Sequence, residues 1–356
     1  MDSLTQATLG AAVGVAVMRQ RVPVWQSALW GAAMGTLPDL DVLFDFGDPI
    51  SNMTEHRGPS HALFVQGMAA MGLVAMVKGW RWVRGVTPTQ GSGQSQDLTL
   101  RWGVATLLVW VTHALLDAMT VYGTRLWLPF SSQAVGVGSV FIIDPLYTLP
   151  LLAGLLGMWA LRGKAAQRSL WLGLTISSLY LVWSVLAQQW VKHQVQPHLP
   201  NPQVKVLVTP SAFNTLLWRV VAVDNQAYHE TWVSLFDDEQ PPQWQRVTCP
   251  VAAFEPYQQV RVVAQLANFS DGFFCFRASG GKRWQITDLR MGQEPNYVFT
   301  FQGEPVGSDA GNGWRVTQLP FAAPPIGDAL RWLGQRTLGH TQLPFEQWQA
   351  AGKTRP

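Results

Sequence analysis

The chain reads as an α-helical polytopic membrane bundle of about six apolar helices, the first four short, followed by a C-terminal β-rich soluble domain. Three observations carry this expectation. Six apolar stretches fall at about 4–18, 22–37, 61–77, 102–117, 142–161 and 169–191. Charge is scarce in the same region: positions 1–200 hold 21 Asp, Glu, Lys and Arg residues, and the remaining 156 positions hold 26. After about residue 192 the long apolar stretches give way to short β-branched and aromatic runs, punctuated by Pro, Gly, Asn and Asp. The expected division is a membrane-embedded helical part over 1–192 and an extramembrane β-rich part over 193–356.

The first stretch follows Asp2 and precedes Arg19 and Arg21. A secretory signal carries its positive charge before the apolar run, so this segment reads as a retained helix with its N-terminus on the outer face. The stretches at 142–161 and 169–191 have the length to span a bilayer alone. The other four lie near or below the lower limit of roughly 17 residues. Basic residues mark alternate loops: Arg19 and Arg21, then Lys78, Arg81, Arg84 and Arg101, then Arg162, Lys164 and Arg168. With those loops cytoplasmic by the positive-inside rule, a six-pass weave in a bacterial inner membrane follows, its C-terminal domain periplasmic.

The loop at 85–99 is small and polar and reads as a flexible linker. Beyond 192, the runs at 204–209, 218–224, 259–264 and 297–301 read as strands. Cys249 and Cys275 both fall there. An oxidising compartment allows a disulfide, and two buried thiols fit equally, because sequence does not show their separation in space.

The formal net charge is +3 and the sequence pI about 9.0. The basic residues sit in short clusters between apolar runs, which is the pattern of topology rather than of a nucleic-acid patch, and no Cys-x-x-Cys or finger spacing occurs. Nucleic-acid binding is therefore excluded. Nothing in the sequence speaks to oligomeric state.

Ionisable groups gather at the ends of the apolar stretches, where they are costly unless they serve a purpose. Asp39 and Asp41 close the second, His56 and His61 open the third, His113 and Asp117 close the fourth, and Asp144 opens the fifth. The weave puts all seven on one face. His113 and Asp117 are four apart, so a helix presents them together. Asp39 and Asp41, two apart after Pro38, point the same way if that stretch is extended. Imidazoles mixed with carboxylates suit zinc, manganese or iron better than magnesium or calcium.

Each piece has a plainer use as well. A His-x-x-x-Asp pair also makes a local hydrogen bond, Ser60 can cap the third helix, and Asp144-Pro145 has the form of an N-cap with proline at the first helical position. Glu55 is the nearest candidate general base. Arg57 and Arg125 are the outer-face arginines that could steady an anionic oxygen, or could mark the bilayer interface beside the tryptophans.

Several motifs follow one another in order: Met1-Asp-Ser-Leu-Thr-Gln-Ala-Thr-Leu-Gly10, Pro38-Asp-Leu-Asp41, His56-Arg-Gly-Pro-Ser-His61, His113-Ala-Leu-Leu-Asp117 and Tyr122-Gly-Thr-Arg125. In these the chain resembles the YdjM-type family of bacterial inner-membrane proteins, described as membrane-bound metal-dependent hydrolases. The resemblance covers roughly residues 1–165 and implies metal ligands at Asp39, Asp41, His56, His61, His113 and Asp117. Many relatives carry a histidine where this chain has Gln6, a poor metal ligand.

The leading expectation is a metal-dependent hydrolase of a phosphoester or lipid-linked substrate at the outer face of the membrane. Zinc is the first choice of metal. The rival is a non-catalytic metal-binding or partner-binding membrane protein. Secondary transport fits less well, since transport sites sit near the bilayer midplane and these residues sit at helix ends.

Overall fold

The computed structural model describes residues 1–18, 21–84, 93–238, 241–280, 283–306 and 313–353. Its helices are α1 (Ser3–Met18), α2 (Val24–Thr36), α3 (Pro49–Glu55), α4 (Leu63–Val83), α5 (Gly93–Ala118), α6 (Pro145–Ala160) and α7 (Gly163–Val195) before the first strand. The chain divides into two compact units. The first comprises Met1–Phe44, His56–Val137 and Ile142–Trp183, and the second Asp45–Glu55, Gly138–Phe141 and Ser184–Pro356.

In the first unit, α1 and α2 pack backbone against backbone. Each carries glycines four apart, Gly10 and Gly14 on one, Gly31 and Gly35 on the other. A Cβ on Gly31 would lie 2.1 Å from the Gly10 carbonyl oxygen, and one on Gly35 would lie 2.6 Å from that of Gln6. Small residues at this spacing let helices approach where lipid offers no hydrophobic drive. The α6–α7 pair repeats the device: a Cβ on Gly173 would meet the Pro150 carbonyl oxygen at 2.4 Å. Two tryptophans tie α2 to α5, Trp30 Nε1 donating to Thr106 Oγ1 (3.1 Å) and Trp110 Nε1 to the Met34 carbonyl (3.1 Å).

Among the described residues, three helices are long and apolar enough to cross a membrane: Leu63–Val83, Leu98–Ala118 and Gly163–His198. This corrects the lengths read from sequence at both ends. The third and fourth stretches are not short, because the helix runs on through Lys78, Gly79 and Arg81 in one case and begins at Gly93 in the other. Long basic side chains extend a helix readily while reaching for water. The fifth stretch falls short of a span. Asp144 caps its helix, with its carboxylate accepting from Leu146 N–H (3.0 Å) and Pro145 at the first position, and the helix stops at Ala160 after 16 residues. Of the linker expected at 85–99, residues 85–92 lie outside the described residues, as does Arg19, and from Gly93 the chain is helical.

The second unit is built on antiparallel sheets. Strands β1 (Lys205–Pro210), β2 (Leu217–Val223), β3 (Ala227–Ser234) and β4 (Gln245–Thr248) form a meander in that order. After α8 (Arg261–Phe269) come β5 (Phe274–Ser279), β6 (Arg283–Asp288), the small pair β7 (Gly292–Gln293) and β8 (Asn296–Tyr297), then β9 (Thr300–Pro305) and β10 (Trp314–Gln318). The second four-stranded sheet runs β10-β9-β6-β5. Helices α9 (Ile326–Thr337) and α10 (Phe345–Lys353) follow.

Side chains of β2, an inner strand of the first sheet, alternate between its two faces. Trp218 and Val220 pack with Ala187, Val191 and Val195 of α7, whereas Val221 joins Tyr228, Leu289, Tyr297 and both cysteines. Cys249 and Cys275 form a disulfide, with Cα atoms 5.8 Å apart. The run at 259–264 is not a strand: from Arg261 it is helical. Its valines belong to a helical face in which Val262, Val263 and Leu266 are buried, and that period outweighs the β propensity of the valines.

Candidate metal centre

The centre lies within the first unit and is assembled from three places in the chain. His113 and Asp117, one turn apart on α5, share a face, and His113 Nε2 stands 3.6 Å from Asp117 Oδ2. Asp39 comes from the 3-10 turn Pro38–Leu43 that follows α2. His61 ends the 3-10 turn Pro59–His61, two residues before α4.

These four residues aim one atom each at a common point. His61 Nε2 lies 3.0 Å from His113 Nε2, 3.4 Å from Asp39 Oδ1 and 3.3 Å from Asp117 Oδ2, and His113 Nε2 lies 3.4 Å from Asp39 Oδ1. All four atoms fall within 4.8 Å of one another. A tetrahedral ion with ligand distances of about 2.0–2.1 Å has edges of roughly 3.3–3.4 Å, so the spacing suits a transition metal.

The hydrogen bonds behind the imidazoles fix which way their lone pairs face. His113 Nδ1 is 2.7 Å from the Gly35 carbonyl, which can only accept, so Nδ1 carries the proton. That carbonyl is one of the four that α2 leaves unmatched at its C-terminal end. Ser60 Oγ donates to Asp41 Oδ2 (2.6 Å) and receives the proton of His61 Nδ1 (2.9 Å). With both Nδ1 atoms so engaged, the two Nε2 atoms face each other at 3.0 Å, an arrangement that a cation between them, a proton or a metal ion, satisfies. Asp39 Oδ1 and Asp117 Oδ2 are buried and face the two Nε2 atoms at 3.3–3.6 Å, and Arg57 Nε stands 3.1 Å from Asp117 Oδ2. Two buried carboxylate oxygens and two facing imidazole nitrogens are a donor set that fits a divalent transition metal.

The electrostatics agree. Burial opposes the charged form of His61, but hydrogen bonds to Asp117, Asp39 and Asp41 outweigh it and raise its pKa to about 10. Burial also works against ionised Asp39, and bonds from His113 and His61 overcome it, holding the carboxyl well below its ordinary range. A pocket this acidic holds positive charge.

The structure separates the six ligands implied by the resemblance into four and two. Asp41 and His56 stand outside the group and pair with each other, Oδ1 to Nδ1 at 2.6 Å. The reason is local. At three residues per turn, positions two apart in a 3-10 turn differ by about 240°, so Asp39 and Asp41 diverge rather than pointing the same way. Asp41 instead organises the turn that carries the histidines: it accepts from Ser60 Oγ and from the Arg57 N–H (3.0 Å), with Arg57 at φ 59°. Ser60 serves this network, and Ala62, not Ser60, is the N-cap of α4.

The remaining candidates are distributed as follows. Arg57 is buried, with Nε 3.1 Å from Asp117 Oδ2, Nη1 donating to Thr120 Oγ1 (3.1 Å) and its guanidinium over the Tyr122 ring. Arg125 is half-buried, and its N–H donates to the Arg57 carbonyl (3.1 Å). Glu55 belongs to the second unit, where Gln265 Nε2 donates to its carboxylate at 3.5 Å. Asp144 stays outside the centre as the cap of α6 and accepts from the Tyr180 hydroxyl (2.7 Å). Gln6 supports Asp117 from behind, Nε2 donating to Oδ1 at 2.8 Å, and the amino group of Met1 pairs with the same oxygen. Sequence reasoning gave Ser60 only a capping role and did not reach Gly35. The first stood beside a flagged histidine, but the second acts through its backbone, which leaves no mark on composition.

A family model described as YdjM inner membrane protein matches residues 1–191. No curated protein and no solved structure matches the chain.

Proposed function

The chain belongs to the YdjM inner membrane protein family, and from that premise we propose that it is a membrane-bound metal-dependent hydrolase. Its substrate in this reading is a phosphoester or lipid-linked compound at the outer face of the inner membrane, with the C-terminal domain periplasmic. The observation that carries the proposal is the convergence of Asp39 Oδ1, His61 Nε2, His113 Nε2 and Asp117 Oδ2, two of them buried carboxylate oxygens.

Asp39, His61, His113 and Asp117 would hold the metal, zinc first, with manganese or iron as alternatives. When bound, such an ion supplies a Lewis acid that polarises an ester oxygen and makes water a nucleophile near neutral pH. The chain's own residues do the rest. Gly35 and Ser60 hold the two imidazoles in the tautomer that offers Nε2, and Arg57 and Gln6 hold Asp117. His56 is anchored to Asp41 through Nδ1, which leaves Nε2 to take up a proton, a role that sequence had given to Glu55. Arg57 is engaged with Asp117, and in this reading Arg125 is the arginine assigned to steady an anionic oxygen.

One observation favours a second reading. Four protein ligands is the count of a closed structural site, whereas catalytic zinc typically keeps three and an open position. A non-catalytic metal-binding membrane protein would have such a shell. Elemental analysis of detergent-purified protein, wild type beside His61→Ala/His113→Ala, tests the shared premise: a stoichiometric transition metal in the wild type only. Cobalt substitution then separates the readings. A visible spectrum that changes on adding inorganic phosphate supports the hydrolase, and an unresponsive tetrahedral spectrum supports the closed site. No metal in replete wild type ends both.

A further inference from the structure

The turn that supplies Asp39 is apolar on its outside. Leu40, Val42, Leu43 and the following Phe44 are 50, 66, 78 and 67% exposed. Four consecutive-turn apolar side chains on the surface mark a surface meant to be covered. The position of this turn along the first unit says by what. Asp39 is 3.4 Å from His61, which precedes the Leu63–Val83 span by two residues, and from His113, near the end of the Leu98–Ala118 span. The turn therefore sits level with the ends of two membrane-spanning helices. At the same level Trp127 and Phe130 are 54 and 77% exposed, and the Phe130 ring packs 5.3 Å from Phe64 in the first turn of α4. Aromatic residues at the ends of spans mark the bilayer boundary.

We propose that Leu40, Val42, Leu43 and Phe44 insert among the acyl chains of the leaflet in which α4 begins, so that the metal centre opens on the lipid headgroup layer. The partner is the lipid surface itself. Asp39, the least buried of the four ligands, rides on the inserted turn and forms the edge of the centre nearest the headgroups. The insertion of the turn rests on the membrane reading alone, the opening of the centre on the headgroups rests also on the metal reading, and both hold for a hydrolytic or a closed centre.

The test places a nitroxide on Leu43→Cys, and separately on Phe44→Cys, in vesicles of phosphatidylethanolamine and phosphatidylglycerol. The disulfide occupies both native cysteines, so only the new thiol is labelled. Relative collision with oxygen and with a water-soluble nickel chelate gives the depth. Both labels are expected about 5–10 Å beneath the headgroup boundary, while a label at the exposed Arg277 on β5 stays open to nickel. Nickel access at both turn positions equal to that at Arg277 overturns the proposal. Metal content of the same labelled samples keeps the two readings apart: shallow labels on metal-loaded protein overturn insertion only, and deep labels on metal-free protein overturn the metal centre only.

Discussion

In the second unit, Arg219 lies buried beside Glu230, Nη2 to Oε2 at 2.6 Å, and also donates to the Tyr297 hydroxyl (3.0 Å) and the Leu289 carbonyl (2.7 Å). Tyr297 in turn donates to Glu230 (3.1 Å). In the first unit, four buried or half-buried groups meet with imidazole nitrogens and carboxylate oxygens turned inward. One unit brings its cation as a side chain, so its charges are matched within the fold. The other brings mainly acceptors to its focus, with Arg57 and the Met1 amino group reaching Asp117 only from one side. Buried charge that a protein matches by itself holds architecture together, and buried charge left open on one side is where a ligand belongs.

The contrast breaks most sharply if a group is removed from the matched network. Arg219→Met leaves Glu230 buried without its cation, and the loss expected is about 3–5 kcal/mol. Urea denaturation followed by tryptophan fluorescence reads it, and metal content should stay at the wild-type value. A variant as stable as wild type would mean that the network is not what holds this unit. Removing the disulfide comes next. Cys249→Ser/Cys275→Ser opens a link between residues 26 apart in sequence, which costs about 3 kcal/mol on the loop-entropy account. The same denaturation curve under oxidising conditions measures it, again with metal content unchanged.

The smallest effect sharpens the other side. Asp41 touches Ser60, His56 and the Arg57 backbone but is not among the four converging ligands. Asp41→Asn should therefore keep the metal stoichiometry and weaken the affinity by about 10–100-fold. Competition with a chromogenic chelator gives that number. Complete loss of metal would make Asp41 a ligand, and no change would empty the relay through Ser60 of meaning.

Much of the centre was legible because its residues are expensive. Asp and His at the ends of apolar stretches stand out against their surroundings, and the four-residue spacing of His113 and Asp117 needs only helix geometry. The division of Asp39 from Asp41 was not legible, since it turns on a 3-10 rather than an extended backbone, and Pro38 permits either. Helix lengths failed for a related reason. Apolar runs mark where lipid contact begins, while helix ends are set by caps such as Asp144 and by basic residues that a helix can carry past the apolar run.

The sequence by itself determined the apolar segments, the change to β structure near residue 192, the order of the ionisable motifs and the family. The first two depend on local composition and periodicity, and the family on a resemblance carried by ordered motifs. Only the tertiary structure decided that Gly35 presents its carbonyl to His113, that Ser60 bridges Asp41 and His61, that Arg57 turns to Asp117, and that Cys249 meets Cys275. Each of these joins groups brought together by packing or by a tight turn, and the distance across such a contact is fixed by neighbours that the linear chain does not specify.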